Sequence, residues 1–323
     1  MEPLELKNLQ IYPIILPTHH NLKSFNYYLV KFDDSLCLID AGINSEDNWN
    51  LLNDTLHTHG FKLSDLTSIY ITHHHSDHVG LIDRIVELVP IPVYAHEKAI
   101  PRLKRDPEFL QRRVNFFRNF YEEMGCGEAG EKQVNNLKSS IVKNRHLAIN
   151  ANITPLAKGL HPFSVIEVPG HSPDQVAFFH KDSKSLFAGD LLIDHISSNA
   201  LIEPDENGKR IASLLEQMTS LKKCLSYSVK YLFSGHGKLI EEPKQLIETR
   251  LNNIERKAFK ILSLIKSGAT TGSEIAEKFY KKSYETQFSL VMSEVVGHLD
   301  YLEANKQVRT EKIAGIRHYF LSS

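Results

Sequence analysis

The stretch "ITHHHSDHVG", Ile71 to Gly80, places four histidines and an aspartate within ten residues. The residues before it, "LTSIYIT", read as a short buried strand that ends at His73, and "VGLIDRIVELVP" after it has helical spacing. "PVYAH" is then another short strand. This strand, loop, helix, strand rhythm belongs to an α/β protein, in which loops at the carboxyl ends of strands carry the ligand-binding groups. His73 and His75, two apart in a sharp loop, can converge on one ion, while Asp77 and His78 point toward a neighbouring position. Imidazole and carboxylate are ligands of borderline metals such as zinc, at about 2.0–2.2 Å, with no thiolate needed. A histidine-rich surface loop is the competing reading, but such a loop would not come with further ligands at strand ends.

Those further ligands are present. Upstream, "FNYYLVKF", the turn "DDS" and the returning "LCLIDAG" form a β-hairpin that opens a sheet, followed by a helix across "NWNLLNDTLHTHG". Downstream come "FSVIEVPGH", "QVAFFH", "SLFAGD" and "KYLFSGH", and three of the four end in a histidine or aspartate beside a glycine: His171, Asp190 and His236. Glycine allows the tight backbone that a crowded ion site requires.

The ordered set H-x-H-x-D-H at residues 73–78, then His171, Asp190 and His236, resembles the metallo-β-lactamase superfamily across roughly residues 9–240. The resemblance implies a four-layer αββα sandwich. It implies two divalent metal ions: His73, His75 and His171 hold one, Asp77, His78 and His236 the other, and Asp190 bridges them. Asp40, in "LIDAG", matches a family position near the ligands and would orient one of them by hydrogen bonding. His74 sits between ligands and points away by strand-like alternation. Two cations make a bridging hydroxide available near neutral pH and polarise the scissile oxygen, so hydrolysis follows, with Asp77 orienting the nucleophile. Zinc is expected first, with iron or manganese compatible with the same donors. No G-x-S-x-G is present to suggest a serine triad.

Residues from about 98 to 157 break the α/β rhythm and read as a helical insertion. In it Leu110, Val114, Phe117, Tyr121 and Met124 form an amphipathic stripe that packs on the domain, joins a second copy as a homodimer, or walls a substrate pocket. Residues 1–243 are expected to form the catalytic domain. Residues 244–323, with three helices and a hairpin, resemble a small winged-helix-like domain like that of the glyoxalase-II-like, β-lactamase-like branch.

The 38 basic and 39 acidic side chains nearly cancel, so no global field draws the chain to nucleic acid or a membrane. The tail carries 13 Lys and Arg against 9 Asp and Glu, and its third helix has none of the basic residues between Phe288 and Asn305 that a reader of DNA needs. Three dispersed cysteines fit a reducing, cytoplasmic setting rather than a disulfide framework. The expected activity is hydrolysis of an ester, thioester or lactone of a small metabolite. A metal-dependent endoribonuclease or other phosphodiesterase, and a DNA-binding regulator, are the alternatives. Tyr28, Phe117 and Asn199 are candidate substrate contacts, and His195, just past Asp190, is a candidate acid or carbonyl-binding group.

Overall fold

Alternation of apolar residues on both faces of a strand decides the layering. The computed structural model describes residues 2–157 and 159–322. Its first sheet runs in sequence order: β1 (Leu4–Leu6), β2 (Leu9–Pro17), β3 (Ser24–Phe32), β4 (Ser35–Ile39), β5 (Ser68–Tyr70), β6 (Val93–Ala95) and β7 (Ile153–Pro155). β1 to β4 pair antiparallel, and β4 to β7 pair parallel. The second sheet has the order β13 (Ile240–Glu241), β12 (Tyr231–Ser234), β11 (Ser185–Gly189), β10 (Val176–His180), β9 (Phe163–Glu167), β8 (Gly159–Leu160).

β3 shows how the sequence sets the sandwich. Tyr27 and Leu29 enter a core shared with Leu52 and Leu56, whereas Tyr28, Val30 and Phe32 enter one shared with Phe178, Phe187 and Phe233 of the second sheet. Period-2 alternation therefore buries one set between the sheets and the other under helices. α1 (Glu46–Thr58) supplies that helical cover. Its cap is Ser45, whose side chain accepts from the Asn48 amide, with Glu46 and Asp47 at the positive end of the helix. α2 (Ser76–Val79), α3 (Ile82–Leu88) and α4 (Ile100–Leu103) follow. Gly80 is obligatory between α2 and α3, since a Cβ there would stand 2.1 Å from the Asn44 nitrogen.

The remaining helices are α5 (Pro107–Glu123), α6 (Gly127–Lys143), α7 (Ser213–Leu225), α8 (Lys244–Lys266), α9 (Gly272–Tyr280), α10 (Lys282–Thr286) and α11 (Phe288–Ala304), followed by the hairpin β14 (Val308–Ile313) and β15 (Ile316–Leu321). The chain divides into two compact units. One holds the residues up to Lys104, Ile149–Ser198 and Ser220–Ile247; the other holds Arg105–Ala148, Asn199–Thr219 and everything from Glu248. This differs from a cut at residue 243 with a separate insertion at 98–157. β7 belongs to the first sheet, so the inserted helices span only 105–148, and they share one core with the tail: Phe120, Tyr121 and Val134 pack with Ile261, Ile275, Val295 and Leu299. The physical reason is α11, buried on almost every side, which offers the apolar partner that the stripe on α5 needs. Val114, Tyr121 and Met124 of the stripe are thus buried within one chain.

Within this second unit buried charge is matched. Arg113 pairs with Glu203 and Arg210 with Asp300, and Lys257 with Glu294. Within the first unit, the ends of the 105–148 segment are clamped together. The Ile149 amide donates to the Leu103 carbonyl at 2.9 Å, the Lys104 ammonium donates to the carbonyls of Ile149, Asn150 and Ala151, and Asp83 accepts from the amides of Asn150 and Ala151. Cys37, Cys126 and Cys224 are buried and free. Among the described residues no helix is long and apolar enough to cross a membrane.

Candidate metal centre

The seven anticipated ligands come from strand ends and loops of the first unit. His73, His75, Asp77 and His78 follow β5 and enter α2; His171 lies between β9 and β10, Asp190 directly follows β11, and His236 follows β12. Their donor atoms form groups lying within 4.8 Å of one another: His73, His75 and His171; Asp77, His78 and His236; and His73, His78 and Asp190. In the first group, His75 Nδ1 stands 3.0 Å from both His73 Nε2 and His171 Nε2. In the second, His236 Nε2 is 3.4 Å from Asp77 Oδ2. Asp190 stands between them, with Oδ1 3.4 Å from His78 Nε2, and Oδ2 3.1 Å from His236 Nε2 and 3.5 Å from His171 Nε2.

The other face of each ring fixes its tautomer. Thr72 Oγ1 donates to Asp40 Oδ2 at 2.8 Å, which leaves it to accept from His73 Nδ1 at 3.1 Å. Asp40 Oδ2 also lies 2.7 Å from His78 Nδ1, and the Ser24 carbonyl lies 2.8 Å from His236 Nδ1. Ser198 Oγ is 3.0 Å from His171 Nδ1. Read through this network, His73, His78, His171 and His236 all direct Nε2 lone pairs inward. Asp40 adopts a left-handed backbone, φ 62°, a strained conformation for a residue other than glycine and one that aspartate tolerates best. Gly235 has no room for a side chain, since a Cβ would fall 2.4 Å from Asp190 Oδ1 and 2.5 Å from the His78 ring.

Such an arrangement fits cations. Converging lone pairs cannot hydrogen-bond one another, and both His78 Nε2 and Asp190 Oδ1 are buried with no hydrogen-bond partner. Burial, then His78 and His75, hold His73 well below its usual pKa; burial, then His171, does the same for His75, so both stay neutral donors. Burial works against charge on His78 as well, but Asp40, Asp190 and Asp77 outweigh it and raise its pKa well above normal, a sign of surplus negative charge seeking a counter-ion. For Asp190, burial is overcome by His78 and His236, which hold it well below the carboxylate range.

Residues 23–236 match the model of the metallo-β-lactamase superfamily. The chain belongs to the metallo-β-lactamase superfamily. Among its relatives, the probable metallo-hydrolase YqjP of Bacillus subtilis is 30% identical over 91% of this chain and 92% of its own length. The atrochrysone carboxyl ACP thioesterase of Aspergillus fumigatus is 21% identical, covering 94% of this chain and 84% of its own. A metallo-β-lactamase family protein from Thermus thermophilus superposes with a TM-score of 0.76 at 22% identity, over 96% of this chain and 98% of its own, which establishes the shared fold. The protein is a metallo-β-lactamase-superfamily hydrolase.

In this superfamily fold, the other anticipated residues have the following surroundings within their own units. Tyr28 is buried between the sheets, and its hydroxyl donates to the Ser234 carbonyl at 2.6 Å, so it braces the strand leading to His236. Both ring nitrogens of His195 are engaged, Nδ1 with Asp194 Oδ1 at 2.7 Å and Nε2 with the Asn21 carbonyl at 2.8 Å, so the ring ties loops together. Asn199 and Phe117 belong to the second unit. The Asn199 amide donates to the Leu290 carbonyl, and Phe117 stacks on Tyr121 beneath the Arg113 guanidinium. His74 indeed turns from the ligands, toward Asp174. Thr72, Ser198 and Asp174 escaped the sequence reading. Asp174 lies three residues past His171, but nothing in spacing alone distinguishes a loop carboxylate from a ligand's support.

Proposed function

We propose that this hydrolase is dinuclear and cleaves an acyl ester bond, a thioester before a lactone or simple ester, in a small metabolite. The observation that carries the reading is Asp190, one carboxylate within reach of His171 on one side and of His78 and His236 on the other. Two divalent cations held there, zinc before iron or manganese, supply Lewis acidity and lower the pKa of water toward neutrality. The chain's own residues do the rest. Asp77, more exposed than His78 and His236, offers Oδ2 as proton acceptor and orients the attacking water, while Asp40 holds His78 directly and His73 through Thr72. Support for the thioester comes from the fungal thioesterase, whose likeness runs through the tail as well as the catalytic core. A nucleic-acid substrate or a DNA-binding role is disfavoured by α11, whose core-facing Val291, Met292, Val295, Val296 and Leu299 leave it no free reading face. The winged-helix-like tail is therefore a packing module. A cytoplasmic location is supported by the three free cysteines.

The test has two arms. Elemental analysis after metal loading is expected to give close to two equivalents per chain, and a single equivalent overturns the dinuclear reading. The loaded protein is expected to hydrolyse acyl thioesters faster than matched lactones, phosphodiesters or single-stranded RNA; RNA exceeding every acyl substrate reverses the choice of substrate class.

A further inference from the structure

Asp174 is fully buried, and a buried carboxylate is costly unless hydrogen bonds satisfy it. Its partners come from two ligand loops a hundred residues apart. Oδ2 accepts from the His74 amide at 2.9 Å and Oδ1 from His74 Nδ1 at 2.8 Å, while Ser172 Oγ donates to Oδ1. His74 lies between the ligands His73 and His75, and Ser172 follows the ligand His171. The backbone reinforces the junction, with the Val176 amide donating to the Thr72 carbonyl at 2.9 Å. No comparable bond from Asp174 reaches the loop of His236, which is braced instead from β3: Asn26 Nδ2 donates to the carbonyls of Ser234 and Gly237.

We propose that His74 and Asp174 are positioning residues that set the spacing of His75 and His171, and hence the metal affinity of the first ligand group alone. The pair crosses between the two loops that must meet at 3.0 Å, His75 Nδ1 to His171 Nε2, and fixes both the backbone and the side chain of His74. Rotation of His74 would swing its two neighbours with it. His78 and His236 draw their hydrogen bonds from Asp40 and Ser24, and the His236 loop from Asn26, none of which bonds to the pair.

The inference rests on the dinuclear reading, and the experiment separates the two. Zinc is titrated into the full chain against a chromophoric chelator in two backgrounds. In His236→Ala the first group keeps its three imidazoles, and adding Asp174→Asn is expected to weaken the bound ion by about 10–100-fold. In His171→Ala the second group keeps its donors, and Asp174→Asn is expected to leave its affinity unchanged. His74→Ala should act in the same direction as Asp174→Asn in the first background, and His74→Asn, whose amide donates in place of the ring, should restore affinity. Circular dichroism confirms folding; should Asp174→Asn fail to fold, the His74 pair carries the test. Equal losses in both backgrounds, or no loss in the first, overturn the proposal. A wild-type chain that takes one equivalent sinks the dinuclear reading but still leaves the positioning role to be decided in the His236→Ala background.

Discussion

The two units bury charged groups in opposite ways. The first collects imidazoles and carboxylates at the strand ends and leaves His78 Nε2 and Asp190 Oδ1 buried without partners. The second gives each buried carboxylate a cation, Arg113 on Glu203 and Arg210 on Asp300. His298, also buried there with an unpartnered Nε2, is held neutral by burial and so carries no charge to match. Paired burial is a structural device, whereas unpaired burial of charge is tolerated only where something else completes it. The same substitution, an aspartate cut back to alanine, should therefore strike activity in one unit and stability in the other.

The largest effect is expected from Asp190→Ala. Steady-state kinetics with the best acyl substrate should show at least about a 10⁴-fold loss in kcat/KM, ~5.5 kcal/mol at 1.36 per factor of ten. Urea unfolding of the metal-free chain should show a smaller loss than the activity does, because Asp190 Oδ1 has no hydrogen-bond partner to forfeit and only the contacts of the carboxylate with His236 and His78 are given up. Marked destabilisation with activity retained would erase the contrast. Asp300→Ala comes next and reverses the pattern. It strands the Arg210 guanidinium, and the midpoint of denaturant unfolding should fall by an amount worth about 3–5 kcal/mol, with zinc stoichiometry intact.

The smallest effect sharpens the comparison with a charge that is exposed. Glu274 accepts from the amides of Thr270 and Thr271 in the capping box of α9, and these bonds hold its pKa below the ordinary value. A carboxylate depressed on folding contributes stability above its unfolded pKa and loses it as pH falls through the folded one. Glu274→Gln should thus cost up to about 1 kcal/mol at neutral pH, and the gap from the unsubstituted chain should close as pH drops below about 4.5. A gap that widens on acidification would assign the stabilisation elsewhere.

How much of this was legible in the sequence divides along the same line. The candidate ligands could be read because His73, His75, Asp77 and His78 crowd one short stretch and His171, Asp190 and His236 each follow a glycine near a strand end, so that local spacing already suggests convergence. Asp40 was legible for the same reason. The hydrogen bonds of Tyr28 and His195 were not legible, because spacing places a residue near a site without saying where its polar atoms point: the Tyr28 hydroxyl goes to Ser234, and the His195 ring to Asp194 and Asn21. The stripe on α5 announced an apolar partner, yet only long-range packing reveals that the tail supplies one. The compact unit's return at Ile149 rather than near 157 was not legible, because β7, three residues long, is too short for periodicity to register.

The clamp formed by Leu103, Lys104, Asp83 and Ile149 has a consequence for how such a protein changes over generations. Departure and return of the 105–148 segment are fastened at one point on the first unit, so the strands on either side do not register its length or content. Lengthening a connection whose ends are already joined costs little, about 0.6 kcal/mol for each doubling of a flexible loop. Insertions between Arg105 and Ala148 therefore leave β6 and β7 paired, while Phe120, Tyr121 and Val134 of the segment stay bound to the tail through their shared core with Ile261, Val295 and Leu299. Heritable novelty has a port of entry here that is separate from the inherited chemistry.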